Sequence, residues 1–404
     1  MDTVKYSDII AAQATLRGVT KNTALLHSKS FSRMSGCNCY LKMENLQTTG
    51  SFKVRGAYNR ISKLTEEERK KPVVAASAGN HAQGVAYSAS SLGLKSTIFM
   101  PSFTPPSKVI ATRFYGAEVV LTGDSFDDAY QVSQEYCREH DATYIHPFND
   151  PMIIAGQGTV GLEIFQQLPE LEMVVVPIGG GGLISGIAIA LKTLNPQIKI
   201  IGVEAAGAAS MYESRKAGEI VTIPHVDTIA DGIAVKTPGG LTYSLINEYV
   251  DDLITVTDDE IAHTAYLMLQ RTKNLAEPSG VASVAAILNH KYDFGGKNVA
   301  AIVSGGNINM SLLEQIVEQG MLQEGLRTTM QVIIPDQSGE LNKLTWLFTQ
   351  FKISIQNIEH IRSTSSVPIG RVMVVCTVNL QNQEQLEQLT DELKSRGLQV
   401  RVLN

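Results

Sequence analysis

From about residue 72 to residue 310 the chain repeats one pattern of apolar and polar positions: a short apolar run, a glycine-rich or polar turn, then apolar residues at helical spacing. The runs include PVVAASA, STIFMP, AEVVLTG, MVVVPIGGGG, KIIGVEA and NVAAIVSGGN. Apolar on both faces and separated by helices, they predict strands of buried parallel sheets and hence a doubly wound, mostly parallel α/β fold. Ligands of such folds sit beyond the carboxyl ends of the strands, where these turns fall. The pattern changes over 318–329, EQGMLQEGLRTT, which is polar and weakly periodic and predicts a linker. Beyond it, MQVIIP alternates as a strand, ELNKLTWLFTQF has helical spacing, and ISIQNIEH and RVMVVCTV alternate again. A second helix, EQLEQLTDELKSRG, and a last strand, LQVRVL, complete a ferredoxin-like βαββαβ unit over 330–404.

Composition narrows the class. At 404 residues the chain suits two or three domains, and 44% hydrophobic with 18% charged residues fits a globular protein. A net charge of −6 argues against a nucleic-acid partner and favours small polar or zwitterionic ligands. The start MDTVKYSDII has no basic region followed by an apolar run, and no run approaches a membrane span, so the expectation is a cytoplasmic protein without a membrane partner. Cys37, Cys39, Cys137 and Cys376 are too scattered for a disulfide framework. No Cys or His pair completes zinc spacing around Cys37 and Cys39, so reduced cysteines are expected.

Four turns carry candidate chemistry. In TGSFKVRGA, Lys53 follows Thr49, Gly50 and Ser51, which mark the entry to a helix with apolar Phe52, Val54 and Ala57. An amine near a helix start and in apolar company is pushed toward its neutral form, able to attack a carbonyl, whereas a plain surface lysine is the bland reading. A strand runs into Gly179, Gly180, Gly181 and Gly182 and then a helix, so backbone N–H groups can close on a phosphate. No Gly-Lys-Ser/Thr ending and no clean GxGxxG follows, which separates this turn from a P-loop and from a dinucleotide fingerprint. In SAGNHAQG, Asn80 and His81 can bond a ligand oxygen and the helix start can hold a carboxylate, while His81 reads equally as a packing histidine. Ser304, in SGGN, offers a neutral hydroxyl or a helix cap. Together these are the parts needed to hold pyridoxal phosphate with an amino acid attached.

At this point the sequence resembles the pyridoxal-phosphate threonine/serine dehydratases of the tryptophan-synthase-β fold type. The resemblance rests on ENLQTTGSFKVRGA, ASAGNHAQGVA, IIAGQGTVGLEI, PIGGGGLISG, ADGIAVKTPG, AEPSG and SGGNIN, in order, from about residue 5 to residue 315. The C-terminal unit resembles an ACT domain, an amino-acid-sensing module, and the whole is most similar to the medium-length threonine ammonia-lyases, which carry one such domain. The implied plan is a catalytic domain over 1–317, made of two α/β subdomains with the site between them, then a linker and the ACT domain.

The resemblance also implies roles. Lys53 would bond the cofactor aldehyde and later act as base, with Phe52 beside the ring and Asn80 on the ring hydroxyl. Gly179, Gly180, Gly181, Gly182 and Leu183 would hold the phosphate, Ser304 would meet the pyridine nitrogen, and Glu277 would sit near the ring edge. Ser77, Gly79, Asn80 and His81 would line the substrate carboxylate site. The implied reaction is elimination from L-threonine to 2-oxobutanoate and ammonia, with some turnover of L-serine. Ala78 stands where racemases of this group carry a serine, which disfavours racemisation. Glu204 aligns with a family cation ligand, but Ser210 replaces an aspartate, so packing and cation binding both stay open for Glu204. In the C-terminal unit Gly339, Glu340 and Asn357 are the candidate effector contacts, for isoleucine or valine, and a homotetramer or homodimer is expected. A silent amino-acid sensor, a dehydrogenase using Glu204 toward a ribose, a threonine synthase, a serine racemase-like enzyme and a catabolic dehydratase with another effector are the competing readings.

Overall fold

The computed structural model describes residues 3–362 and 367–403, and the chain divides into two units, Met1–Met310 and Ser311–Asn404. Among the described residues the first unit holds ten strands: β1 (Leu25–His27), β2 (Asn38–Met43), β3 (Val73–Ala76), β4 (Ser96–Met100), β5 (Glu118–Leu121), β6 (Thr143–Tyr144), β7 (Met173–Pro177), β8 (Lys199–Ala205), β9 (Asp252–Val256) and β10 (Asn298–Val303). They form two sheets, a larger one in the order β1-β2-β10-β7-β8-β9 and a smaller one in the order β5-β4-β3-β6. Every pairing is parallel except β1 with β2. β3, β4 and β7 are buried at every position, as their uninterrupted apolar runs require of strands covered by helices on both sides.

One strand of the larger sheet departs from the repeating pattern. β2 precedes residue 72 and pairs in parallel with β10 from Asn38 against Asn298 to Met43 against Val303. Its Lys42 breaks the apolar run, yet Lys42 is fully buried because Glu163 meets its Nζ at 2.6 Å. A long-range ion pair thus lets a polar residue occupy a core strand.

The helix Pro151–Gln167 joins the parts of this unit. Asp150 caps it, accepting from the amides of Met152 at 2.7 Å and Ile153 at 3.1 Å, and Pro151 presets its first turn. Further along, Gly156 lies so close to the helix Lys53–Ser62 that a β-carbon would stand 2.6 Å from the Arg55 carbonyl oxygen. On its other side a β-carbon at Gly158 would stand 2.8 Å from the Gly186 carbonyl of the helix Gly182–Leu194. The spacing in GQGTVG therefore lets one helix touch two others at backbone distance.

The second unit contains β11 (Arg327–Pro335), β12 (Ser354–Ile361), β13 (Arg371–Asn379) and β14 (Gln399–Leu403), in the order β12-β13-β11-β14, all antiparallel. With the helices Glu340–Gln350 and Gln383–Ser395 it is the ferredoxin-like βαββαβ arrangement. β11 alternates strictly between buried and half-buried positions, and Met330, Val332, Ile334, Leu344, Phe348, Val374 and Leu389 fill the core. The expected linker over 318–329 is ordered instead. The helix Met310–Gln323 covers its first half, Gly325 turns the chain at φ 67°, and β11 begins at Arg327. Buried Ile316 and Gly320 stand one turn apart among glutamines and glutamates, and the buried position Thr328 is polar, so neither periodicity shows as apolar alternation. Among the described residues no helix is long and apolar enough to cross a membrane.

Candidate active site

The turns that follow β3, β7 and β10 meet the start of the helix Lys53–Ser62 in one cleft of the first unit. Lys53 is the first residue of that helix, so its charge faces the unfavourable end of the helix dipole. Its Nζ donates to the Pro147 carbonyl at 3.0 Å and lies 5.3 Å from the centre of the Phe52 ring. Desolvation lowers its pKa to about 8, against the opposing pull of the Glu277 charge. The amine is therefore far more available as a base or nucleophile than an exposed lysine.

Opposite it lies the glycine turn. Gly181 adopts φ 86°, a left-handed conformation that costs other residues, and caps the helix Gly182–Leu194. A β-carbon at Gly180 would overlap the Phe148 ring, and one at Gly179 would come within 2.9 Å of the Ile233 Cα. The absence of side chains leaves a concave surface of amides at a helix start, suited to an anion such as a phosphate monoester.

Asn80 opens the helix Asn80–Ser91 after β3 and is held from two sides. Its Nδ2 donates to the Glu277 carboxylate at 2.5 Å, and its Oδ1 accepts from Asn307 Nδ2 at 2.6 Å. Asn307 also donates to the Thr49 carbonyl at 2.9 Å, and Phe52 N donates to the Ser304 carbonyl at 3.2 Å, so the SGGN turn is sewn to the entry of the Lys53 helix. Burial, with the nearby Asp231 charge, raises the Glu277 pKa to about 7. Ser304 presents a buried hydroxyl that donates to the Ser279 carbonyl at 3.4 Å.

Of the sequence candidates, Phe52, Lys53, Asn80, Gly179, Gly180, Gly181, Gly182, Leu183, Glu277 and Ser304 line this one cleft. Ser77, Gly79 and His81 belong to the turn beside it without lining it. The His81 ring bonds the Ile145 carbonyl at 2.9 Å, and burial drops its pKa to about 3, so it is a neutral packing imidazole. Its Nε2 is thus engaged with the main chain outside the cleft lining, and the amides at the start of its helix are the groups suited to a carboxylate. Glu204 is also engaged elsewhere, accepting from the amides of Met211 at 3.0 Å and Tyr212 at 2.7 Å and so capping the helix Ser210–Ala217. Burial raises its pKa to about 8, and no cluster of three metal-ligating side chains occurs among the described residues. Phe148, Gln157 and Ser279 line the cleft without a composition or spacing signal of their own, although Gln157 and Ser279 fall inside the AGQGT and AEPSG motifs.

The sequence profile of a family described as pyridoxal-phosphate dependent enzyme matches residues 16–305. The chain belongs to the pyridoxal-phosphate-dependent enzymes. Within that family, an L-threonine ammonia-lyase of Thermotoga maritima is 44% identical over 400 residues, covering 99% of this chain and 100% of the relative. A catabolic L-threonine dehydratase of Escherichia coli K12 is 45% identical over 315 residues, 78% of this chain and 96% of the relative. Among solved structures, threonine deaminase isoform 2 of Solanum lycopersicum superposes with a TM-score of 0.75 at 38% identity, covering 80% of this chain and 91% of the other. The first unit has the α/β architecture of fold type II within this enzyme class. Its cleft fits the cofactor: a depressed amine for the aldehyde, a side-chain-free helix start for the phosphate, and the buried carboxamide of Gln157, without a protein partner, in the same lining.

Proposed function

We propose that the protein is a threonine ammonia-lyase, converting L-threonine to 2-oxobutanoate and ammonia with some turnover of L-serine to pyruvate. The observation that carries this reading is a desolvated lysine amine and an anion-binding glycine turn in one cleft, in a chain similar along its full length to an L-threonine ammonia-lyase. The chemistry that pyridoxal phosphate supplies when bound is a conjugated ring that makes the α-hydrogen of an amino acid acidic.

The remaining work falls to the chain. The amides of Gly179, Gly180, Gly181, Gly182 and Leu183 would hold the phosphate, and Phe52 would pack beside the ring. Asn80, fixed by Asn307 and Glu277, would offer its amide to the ring hydroxyl. Ser304 would meet the ring nitrogen with a neutral hydroxyl, which would leave that nitrogen unprotonated and favour elimination over transamination. The substrate carboxylate docks at the helix start beyond Ser77 and Gly79. Lys53 takes the α-proton, and its lowered pKa keeps a share of the amine neutral near pH 7. Ala78 offers no hydroxyl for the opposite face, which disfavours racemisation. A methyl-sized difference separates threonine from serine, so discrimination is on the order of 10- to 200-fold.

The second unit reads as an ACT domain that binds a branched-chain amino acid, isoleucine or valine, and shifts activity. Its ferredoxin-like strand order supports this reading, as does the open space beside Gly339, which caps the helix Glu340–Gln350 at φ 92°. Asn357 is exposed on the edge strand β12, next to a register shift after Ile355, and Glu340 pairs with Lys343 at 2.6 Å, which leaves the helix amides as the carboxylate contact. The ammonia-lyase relative matches 99% of the chain and the catabolic one 78%, a difference close to the share of the chain in this unit. The assembly expected with it is a homodimer or homotetramer.

The test is 2-oxo acid release from L-threonine and L-serine by the purified protein, with and without isoleucine or valine. Threonine-dependent 2-oxobutanoate supports the lyase, and a change of activity with either effector supports the regulatory unit. Bound cofactor without oxo acid from either substrate overturns the lyase reading.

A further inference from the structure

The side chain of Gln157 is 1% exposed, and neither its Oε1 nor its Nε2 has a hydrogen-bond partner. It stands between Gly156 and Gly158 in the helix Pro151–Gln167, the two glycines that let this helix touch its neighbours. Its amide reaches into the cleft between those neighbours. A β-carbon on Gly182 would lie 2.9 Å from Gln157 Oε1, and one on Gly56 would lie 3.0 Å from Nε2. The amide is therefore aimed at the junction of the phosphate-binding turn and the Lys53 helix. Thr159, two residues on, shows the contrast, since its hydroxyl donates to the Gly156 carbonyl at 2.7 Å and accepts from Arg55 at 3.1 Å. A carboxamide buried without partners in a lined cleft is a group whose partner is a ligand.

We infer that Gln157 is a side-chain ligand of the phosphate monoester held at the glycine turn, a reading that rests on the cofactor assignment above. The backbone amides of the turn can only donate. The carboxamide can donate from Nε2 to a phosphate oxygen and accept at Oε1 from a protonated one, so it suits both the monoanion and the dianion. It also ties the phosphate to the helix that braces Lys53, fixing the distance between the amine and the anion.

The experiment compares two aldehydes that differ only in the phosphate. Apoprotein of the wild type and of Gln157→Leu is titrated with pyridoxal phosphate and with pyridoxal, following the absorbance of the lysine-bound aldehyde. The expected result is affinity for pyridoxal phosphate weakened by about 10- to 100-fold, the range for one hydrogen bond to a charged group, with pyridoxal affinity unchanged. The 31P resonance of the bound cofactor shifts between the two proteins. Equal loss for both aldehydes, or loss for neither, overturns the assignment while leaving the enzyme family intact. Failure of the wild type to bind either aldehyde overturns the cofactor reading itself. If Gln157→Leu does not fold, Gln157→Asn keeps the amide and withdraws it by one methylene; weakened binding of pyridoxal phosphate alone supports the assignment, and unchanged binding sinks it.

Discussion

Lys53 and Arg55 leave the same helix two residues apart and meet opposite environments. Lys53 is desolvated and has the charge of Glu277 as its opposing influence, so its amine is lowered to about 8. Arg55 is also desolvated, but Glu44 meets its Nε at 2.8 Å and Glu163 meets its Nη1 at 2.6 Å, and together they raise its pKa above the ordinary value. Lys42 joins the same group through Glu163, and Thr23 donates to Glu44, so four buried charges are mutually satisfied. Burial alone thus does not decide what a basic residue can do. Counter-charge at hydrogen-bond distance makes one of them a fastener, and its scarcity makes the other reactive.

The largest effect that would break this comparison is on turnover. Lys53→Ala removes the amine and should abolish 2-oxo acid release while the protein stays folded, as read by circular dichroism; measurable turnover in the variant would show that another base carries the reaction. Next in size, Arg55→Met leaves Glu44 buried without its counter-charge and Glu163 with Lys42 alone, and should cost about 3–5 kcal/mol in urea unfolding. A loss below about 1 kcal/mol, the scale of an exposed pair, would mean that the quartet does not hold the Lys53 helix.

A smaller effect sharpens the same contrast through pH. Between about pH 8 and the ordinary lysine value of 10.5 the unfolded chain keeps a proton that folded Lys53 has lost. Stability of the ligand-free protein should therefore rise with pH across that window, relative to Lys53→Ala. A flat difference between the two proteins would show that Lys53 is not desolvated. The smallest effect concerns Ser279, whose buried hydroxyl lies beside the Glu277 carboxyl and helps to hold its charge. Ser279→Ala removes that contact and should lower the thermal stability of the ligand-free protein by about 0.5–1.5 kcal/mol, and no loss would show that the contact contributes nothing.

What could be read in the chain follows from the same physics. β3, β4, β7 and β10 are legible because both of their faces are apolar, and the glycine turn is legible because consecutive glycines serve few purposes. Lys53 is legible from the small residues that lead into its helix. β2 is hidden because its Lys42 owes its burial to Glu163, 121 residues away. The ordered stretch before β11 is hidden because Gly320 and Thr328 take buried positions without being strongly apolar. His81 shares the turn of Asn80, and only the fold shows that its ring turns to Ile145 rather than to the cleft. Gln157 is visible within AGQGT, but whether a glutamine has partners is a tertiary fact.

The backbone-to-backbone crossings at Gly156 and Gly158 carry a consequence for local opening. Where helices touch through their main chains, one cannot unfold without exposing the amides of the others. The Lys53 helix, the helix Pro151–Gln167 and the helix behind the glycine turn should then exchange their amide hydrogens for deuterium as one cooperative block. The two halves of the cleft would loosen together or stay closed together, so the spacing between amine and anion is kept by the same motion that protects the core.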